Sequence, residues 1–359
     1  SSMEESAIRE GFENLQPGSD YDHLYESALC RQRADWLVGL NGTRLFTVLY
    51  GGKVLKVGRV QTPTLAMLVE REEKIRNFKK EQYYVVHILM DGIDAVTERI
   101  ADRARAESIA AACESKAATV VSATKEKKVM QPPKLYDLTT LQREANRLFG
   151  FTAKQTLEYT QSLYEKKLVT YPRTDSQYLS DDMEDTARGV IGAVYKALLF
   201  EKPSGAEPDI KRVMDSKKVT DHHAIIPTME ITAADLSSVP DGEMKILSLV
   251  ANRLLCATGE KHEYGTVKAE FSCNGANFTV SGKSVTKNGW KDFEAALKRS
   301  CQTAENKEKE DKKLPEFSDG MVFEGVQTKV SEHFTQPPKH FTEDSLLSAM
   351  ERAGRRYGR

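Results

Sequence analysis

No stretch of this sequence reaches the roughly 18–20 consecutive apolar residues that a membrane-spanning helix needs, so no membrane role is expected. The start, Ser1-Ser2-Met3-Glu4-Glu5, lacks the apolar run of a secretory signal, and Ser1-Ser2 ahead of Met3 reads as an expression scar. Cysteine is scarce and scattered: the five are Cys30, Cys113, Cys256, Cys273 and Cys301, with no CxxC pair and no histidine at zinc-ligand spacing. That pattern argues against a disulfide framework and a zinc ribbon and suits reduced thiols in the cytosol. Net charge is nearly absent, since 52 Lys and Arg against 53 Asp and Glu leave −1 at pH 7. A nucleic-acid partner would therefore have to be met by a local basic groove rather than by a globally cationic surface. No short internal repeat is evident.

What is present suits a soluble globular protein. The 359 residues, 40% hydrophobic and 29% charged, are enough for two or three domains with buried cores. Residues 4–50 carry apolar positions at mixed three and four spacing (Leu24, Ala28, Leu29, Trp36, Leu37, Leu40), which predicts helix, and Gly51-Gly52 breaks it. Helix resumes over 59–78 after Thr62-Pro63. Residues 83–89 and 119–124 are β-rich, with a short helix at 101–115 between them and Gln131-Pro132-Pro133 as punctuation. The clearest pattern is a helix-turn-helix over 137–167: Leu138 to Phe149, a break at Gly150, then Thr152-Ala153-Lys154-Gln155 as a capping box. Helix is expected again at 181–200 and 241–257, with a polar loop around 202–219 between them. Strands follow at 266–272, 277–281 and 321–326, and a last helix at 343–352. The charged run Glu305 to Lys313 reads as a solvated loop. The order is thus helix, strand, helix, strand, helix, as if a helical segment were inserted into a β domain.

The most telling stretch is Tyr171-Pro172-Arg173-Thr174-Asp175-Ser176. If residues 168–175 are extended, the period of two puts Tyr171, Arg173 and Asp175 on one face and Thr170 and Thr174 on the other. A phenol with an ordinary pKa of about 10 needs its oxyanion stabilised, and a guanidinium fork beside it meets two phosphate oxygens at once. The same six residues also suit a strand-to-loop exit followed by a helix cap. Gln161 and Glu165, four apart, share a helix face running into Tyr171, where Glu165 could act as a general acid if burial raised its pKa, or simply pair with a nearby Lys. Asp221-His222-His223 adds two imidazoles that cannot share a face, which suits one histidine on a phosphate better than a shared metal, and suits a structural pair as well. Arg31 and Asp35 fit an i, i+4 pair that would orient the guanidinium or merely make a surface ion pair. Gly58-Arg59-Val60-Gln61-Thr62-Pro63 offers a phosphate-contacting turn at a helix start.

Together these segments, in this order, resemble the type IA DNA topoisomerases, nearest the bacterial topoisomerase III group. The likeness lies in Ala28-Leu29-Cys30-Arg31-Gln32-Arg33-Ala34-Asp35-Trp36-Leu37-Val38-Gly39, in Gly58 to Leu65, in Gln161 to Ser176, in His222 to Thr228 and in Phe341 to Met350. The resemblance implies an α+β multidomain fold: a toroidal arch with a β-rich hinge domain, a helical tyrosine domain containing the helix-turn-helix-like unit, and a helical base. The expected boundaries are 3–64 and 334–359 for the base, 65–130 and 258–333 for the β-rich arch, and 131–257 for the tyrosine domain.

It implies Tyr171 as the nucleophile forming a 5′-phosphotyrosyl link and Arg173 as the phosphate clamp, with Glu165 and His222 in the catalytic group, His222 being preferred over His223. Gln161, Thr170, Thr174 and Asp175 would line the DNA site, with Arg31, Asp35, Arg59 and Gln61 on the strand-binding groove. Single-stranded DNA is the implied partner of a monomeric enzyme in the bacterial cytoplasm, nucleoid-associated, with a helicase or single-strand-binding protein as cellular partners. Mg²⁺ is implied for the intact enzyme and ATP is not, because the phosphotyrosyl bond conserves the phosphodiester energy.

The family's acidic, Mg²⁺-binding Toprim domain is not matched in this chain, no metal ligands are expected in it, and the Gly-rich segment that follows Met350 in the family is cut short. The chain is therefore expected to be a fragment that binds single-stranded DNA weakly and cleaves it poorly or not at all. The rival reading is a non-enzymatic helix-turn-helix DNA-binding regulator. It asks for a basic second helix, whereas this one carries Glu158 and Glu165 against Lys154, Lys166 and Lys167. A third reading is a partner-docking protein with an inert Tyr171.

Overall fold

Backbone punctuation sets the elements in the computed structural model, which describes residues 5–198, 200, 207–300 and 314–353. Among the described residues the α-helices are α1 (Glu5–Glu13), α2 (Asp22–Tyr50), α3 (Gln61–Arg76), α4 (Arg103–Cys113), α5 (Leu138–Phe149), α6 (Ala153–Glu165), α7 (Glu184–Ala197), α8 (Asp241–Thr258), α9 (Lys291–Ser300) and α10 (Glu343–Glu351). The strands are β1 (Gln82–Met90), β2 (Ile93–Val96), β3 (Ala118–Met130), β4 (His262–Cys273), β5 (Ala276–Lys287), β6 (Val322–Phe323) and β7 (Gln327–Phe334). The chain divides into two units, Ser1–Phe78 with Pro337–Arg359, and Lys79–Gln336. The junction expected at 64/65 falls inside α3, which lies whole in the first unit.

In the first unit α2 runs until Gly51 and Gly52, whose positive φ values (64° and 80°) no β-branched residue would accept at low cost. The turn before α3 is held by Gly58 N donating to Thr62 Oγ1 at 3.0 Å. Arg71 joins α3 to the α10 approach: its guanidinium lies 4.2 Å above the Phe341 ring and donates to Lys339 O at 2.9 Å. No described residue of α2 is buried, and Trp36 is 63% exposed.

The second unit holds two cores. One is a seven-stranded antiparallel sheet of order β6-β3-β4-β5-β2-β1-β7, backed by α4. Val86, Ile88, Val120, Phe271 and Phe278 alternate onto its inner face. Two hairpins turn at Asp91-Gly92 and Asn274-Gly275, with positive φ at both residues of each pair, the geometry these dipeptides favour. The expected strand over 321–326 shrinks to β6, interrupted by Gly325 at φ 64°. The unanticipated β7 pairs with β1 along its length. Its outward face is polar, so the apolar alternation that would announce it is weak.

The other core is helical and centres on α8, which is buried on nearly every side. α9, also unanticipated, packs Phe293 and Leu297 with Trp290 against this core rather than against the sheet. Gly289, at φ 56°, seats that helix: an added Cβ would lie 2.3 Å from Lys261 O. The polar loop expected around 202–219 contains two short 3-10 turns, Ile210–Val213 and Ser216–Lys218. The charged run 305–313 lies outside the described residues.

Candidate active site around Tyr171

Caps place the tyrosine segment. Asp137 and Thr140 make a reciprocal box at the start of α5, Gly150 closes that helix in the left-handed region, and Thr152 with Gln155 opens α6. α6 stops at Lys166. Lys167 takes φ 61°, and Leu168 N returns to Leu163 O at 2.8 Å, so the chain reverses and leaves along a new line. The end of α6 is pinned to α8 because Glu243, almost fully buried, accepts from Ser162 Oγ at 3.0 Å and pairs with Lys166 Nζ.

Residues 168–174 then run beside 222–228. Thr228 N donates to Leu168 O at 3.0 Å, Val169 bridges Pro227, and Thr170 N donates to Ile226 O at 2.9 Å. The Thr170 hydroxyl is used twice, donating to Ala224 O (3.2 Å) and accepting from Ile226 N (3.0 Å). Thr174 Oγ1 donates to His222 O at 2.8 Å and accepts from Ser176 N at 3.1 Å. Beyond Val169 the segment makes no continuous ladder, yet its exposure alternates as an extended chain would: Pro172, Thr174 and Ser176 are buried, while Arg173 and Asp175 are exposed and Tyr171 is half-buried.

The Tyr171 ring sits between two others. Tyr164, in the last turn of α6, meets it edge-on at 5.3 Å, and the His222 imidazole lies 4.5 Å away, tilted by 47°. The two histidines part company as adjacent residues must. His223 is buried with Nδ1 2.8 Å from Ala224 O, and burial holds its pKa below the ordinary value, so it stays neutral.

Gln161 Nε2 donates to Glu165 Oε1 at 3.0 Å on an exposed surface, so the burial that would favour a general acid is not met at Glu165 in this chain. Asp175 Oδ1 accepts from Thr220 at 3.0 Å. The structure thus brings Tyr171 and His222 into contact and sets Arg173 on the exposed side two residues along. It commits the hydroxyls of Thr170 and Thr174 to backbone groups.

Arg31, Asp35, Arg59 and Gln61 lie in the first unit. Asp35 does not pair with Arg31 as expected; Arg59 Nε takes it at 3.2 Å, and Gln61 opens α3, exposed.

Two contributors were not anticipated. Tyr164 had no signal beyond being aromatic at the end of the helix that leads to Tyr171. Tyr136 is fully buried, its phenol pushed far up by that burial, and it receives a hydrogen bond from Arg253 at 2.8 Å. Tyr136 O accepts from Ile225 N at 2.8 Å, so this anchor extends to the strand carrying His222. Among the described residues no group of three or more His, Cys, Asp and Glu could hold a metal ion. The described residues thus offer no cluster of that kind for Mg²⁺. No described helix is long and apolar enough to cross a membrane.

Known proteins share this chain's sequence and its mixed helix-and-sheet fold. Residues 19–355 match the family model described as DNA topoisomerase. The chain is 38% identical over 366 residues to DNA topoisomerase 3 of Bacillus licheniformis, covering 98% of this chain and 49% of that protein. It is also 38% identical over 363 residues to DNA topoisomerase 3 of Bacillus subtilis, with the same coverage. The full-length topoisomerase I structure from Thermotoga maritima superposes with a TM-score of 0.73 at 24% identity, covering 99% of this chain and 57% of that one, and so shares the fold. The chain belongs to the type IA DNA topoisomerase family and is topoisomerase 3-like. It spans about half the length of the relatives it matches.

Proposed function

We propose that Tyr171 is the nucleophile of an ATP-independent strand-cleavage reaction on single-stranded DNA, in the service of strand passage. The phenolic oxygen attacks a backbone phosphorus, the P–O3′ bond breaks, and the 5′-phosphate stays on Tyr171. Attack by the 3′-hydroxyl reverses the step and reseals the strand. Arg173 offers a two-donor fork to the phosphate and His222 an imidazole donor against the same ring. Both offset charge as the phosphorane forms. The observation that carries this reading is the Tyr171–His222 packing, with Arg173 exposed beyond it on a segment pinned by backbone hydrogen bonds, in a chain of this family.

Mg²⁺ is proposed as the metal of the whole enzyme. The protein is further proposed to work as a cytoplasmic, nucleoid-associated monomer, with a helicase or single-strand-binding protein as partners. The helix-turn-helix regulator is disfavoured: Lys154 on α6 pairs with Glu158 (3.6 Å) and Lys166 just past its end pairs with Glu243, which leaves few cations there to track phosphates.

A labelled single-stranded oligonucleotide with Mg²⁺, resolved on a denaturing gel, tests the proposal. This chain alone is expected to give little adduct, and a longer gene product carrying the acidic domain a robust one that disappears in Tyr171→Phe. An adduct that survives Tyr171→Phe, or none from the longer protein, would refute it.

A further inference from the structure

The outer face of the sheet, remote in sequence from Tyr171, carries a second chemically organised cluster. Strand β1 buries Tyr84, Val86, Ile88 and Met90, so its alternate residues, His87 among them, face away from the core. Registers Leu89 opposite Asp94 and Val85 opposite Ser331 bring one residue from β2 and one from β7 diagonally onto His87. His87 Nδ1 lies 2.8 Å from Asp94 Oδ1 and its Nε2 lies 2.8 Å from Ser331 Oγ. His333 Nε2 lies 2.8 Å from the same Ser331 oxygen, and its ring stacks on Tyr83 at 5.4 Å. These groups do not form a metal-ligand set.

With His87 neutral and Asp94 ionised, the carboxylate can only accept, so the His87 proton sits on Nδ1 and Nε2 is left to accept. The Ser331 hydroxyl then donates to His87 Nε2, with Val85 O a longer alternative at 3.3 Å, and Ser331 Oγ accepts from His333 Nε2–H. A serine hydroxyl on an imidazole whose far nitrogen is held by a carboxylate is the arrangement that activates serine nucleophiles, and it is recognised by geometry rather than by chain order. The cluster is also reachable, since the side chains of His87 and Asp94 are 20% and 36% exposed and Ser331 is half-buried.

We propose that Ser331 is an activated nucleophile that reacts covalently with small acyl and phosphonyl electrophiles, with His87 as base and Asp94 as the residue that positions it. With an alkyl fluorophosphonate, the Oγ–P bond forms, the P–F bond breaks, fluoride leaves, and the serine proton passes to His87 Nε2. Ser331 lies on a strand rather than at a turn or helix start where converging N–H groups make an oxyanion hole, so stoichiometric modification is expected rather than fast turnover.

The test is to incubate the folded 359-residue chain with a biotinylated fluorophosphonate and map labelled peptides by mass spectrometry. Labelling at Ser331 is expected in the wild type and is lost on denaturation and in Ser331→Ala. It should slow by roughly tenfold or more in His87→Ala and in Asp94→Asn, by analogy with loss of the orienting carboxylate in serine enzymes. No label at Ser331 in the folded wild type overturns the proposal. So does labelling at an unchanged rate in both His87→Ala and Asp94→Asn, each checked for native circular dichroism, which would leave the cluster a hydrogen-bond ladder only.

Discussion

Replacing Thr170 by valine keeps the shape of the side chain and deletes two hydrogen bonds that hold the Tyr171 segment beside the His222 strand. The two losses are unequal. Ala224 O keeps a partner in His223 Nδ1, whereas Ile226 N has the Thr170 hydroxyl as its partner and belongs to a residue that is 1% exposed. A buried donor left unsatisfied costs about 1–3 kcal/mol, so Thr170→Val should lower the stability of the helical core by about 2 kcal/mol. That is a change of roughly 30-fold in the folded-to-unfolded ratio. Thr170→Ser, which keeps the hydroxyl, should stay within about 1 kcal/mol of the wild type, losing one methyl group. Urea unfolding followed by circular dichroism measures both variants at a common m-value. If valine and serine destabilise equally, or valine costs less than about 0.5 kcal/mol, the hydroxyl is not what clamps the two segments.

Two further outcomes follow from burial. His223 is held below the ordinary histidine pKa, so the unfolded chain takes up its proton more readily than the native one. Its contribution to stability is therefore present above about pH 6.5 and is lost as pH falls below that value. Urea midpoints at pH 7.5 and 5.5 should separate in the wild type and converge in His223→Asn; equal separation in both would show that other groups carry the dependence. The buried thiols of Cys113 and Cys256 are each pushed up to about 12, and Cys273 is buried too, whereas Cys30 is exposed. Iodoacetamide at about pH 8 should thus modify Cys30 quickly and spare Cys113, Cys256 and Cys273 until denaturant is added, as peptide mass spectrometry would show. Alkylation of Cys256 in the native chain would contradict this packing.

Much of the local structure was written in short-range chemistry. The capping box at Thr152 and Gln155, the break at Gly150, the stop at Gly51-Gly52 and the β-rich composition of β1 are contests among neighbours on the chain, and the sequence reports them directly. The Asp91-Gly92 and Asn274-Gly275 turns belong to the same class, although the flanking strands announced themselves more loudly. β7 and α9 stayed hidden for different reasons. β7 earns its place by pairing with β1 and shows water a polar face. α9 is short and gains its burial only from a core assembled by residues far earlier in the chain.

The candidate site divides along the same line. The order of residues by itself put Tyr171, Arg173 and Asp175 on one side of an extended segment, set Gln161 and Glu165 on one helix face, and allowed only one of His222 and His223 to face any given ligand. Backbone geometry permits nothing else at those spacings. Which histidine turns to the tyrosine, that Tyr164 closes the other side of the ring, and that the hydroxyls of Thr170 and Thr174 serve the backbone were decided by tertiary structure alone. Apart from Tyr164, which meets Tyr171 across the chain reversal at Lys167, these depend on where residues roughly fifty positions apart come to rest, as in the 48 and 54 positions that separate Thr174 from His222 and Thr170 from Ala224. No local preference encodes a distance of that kind.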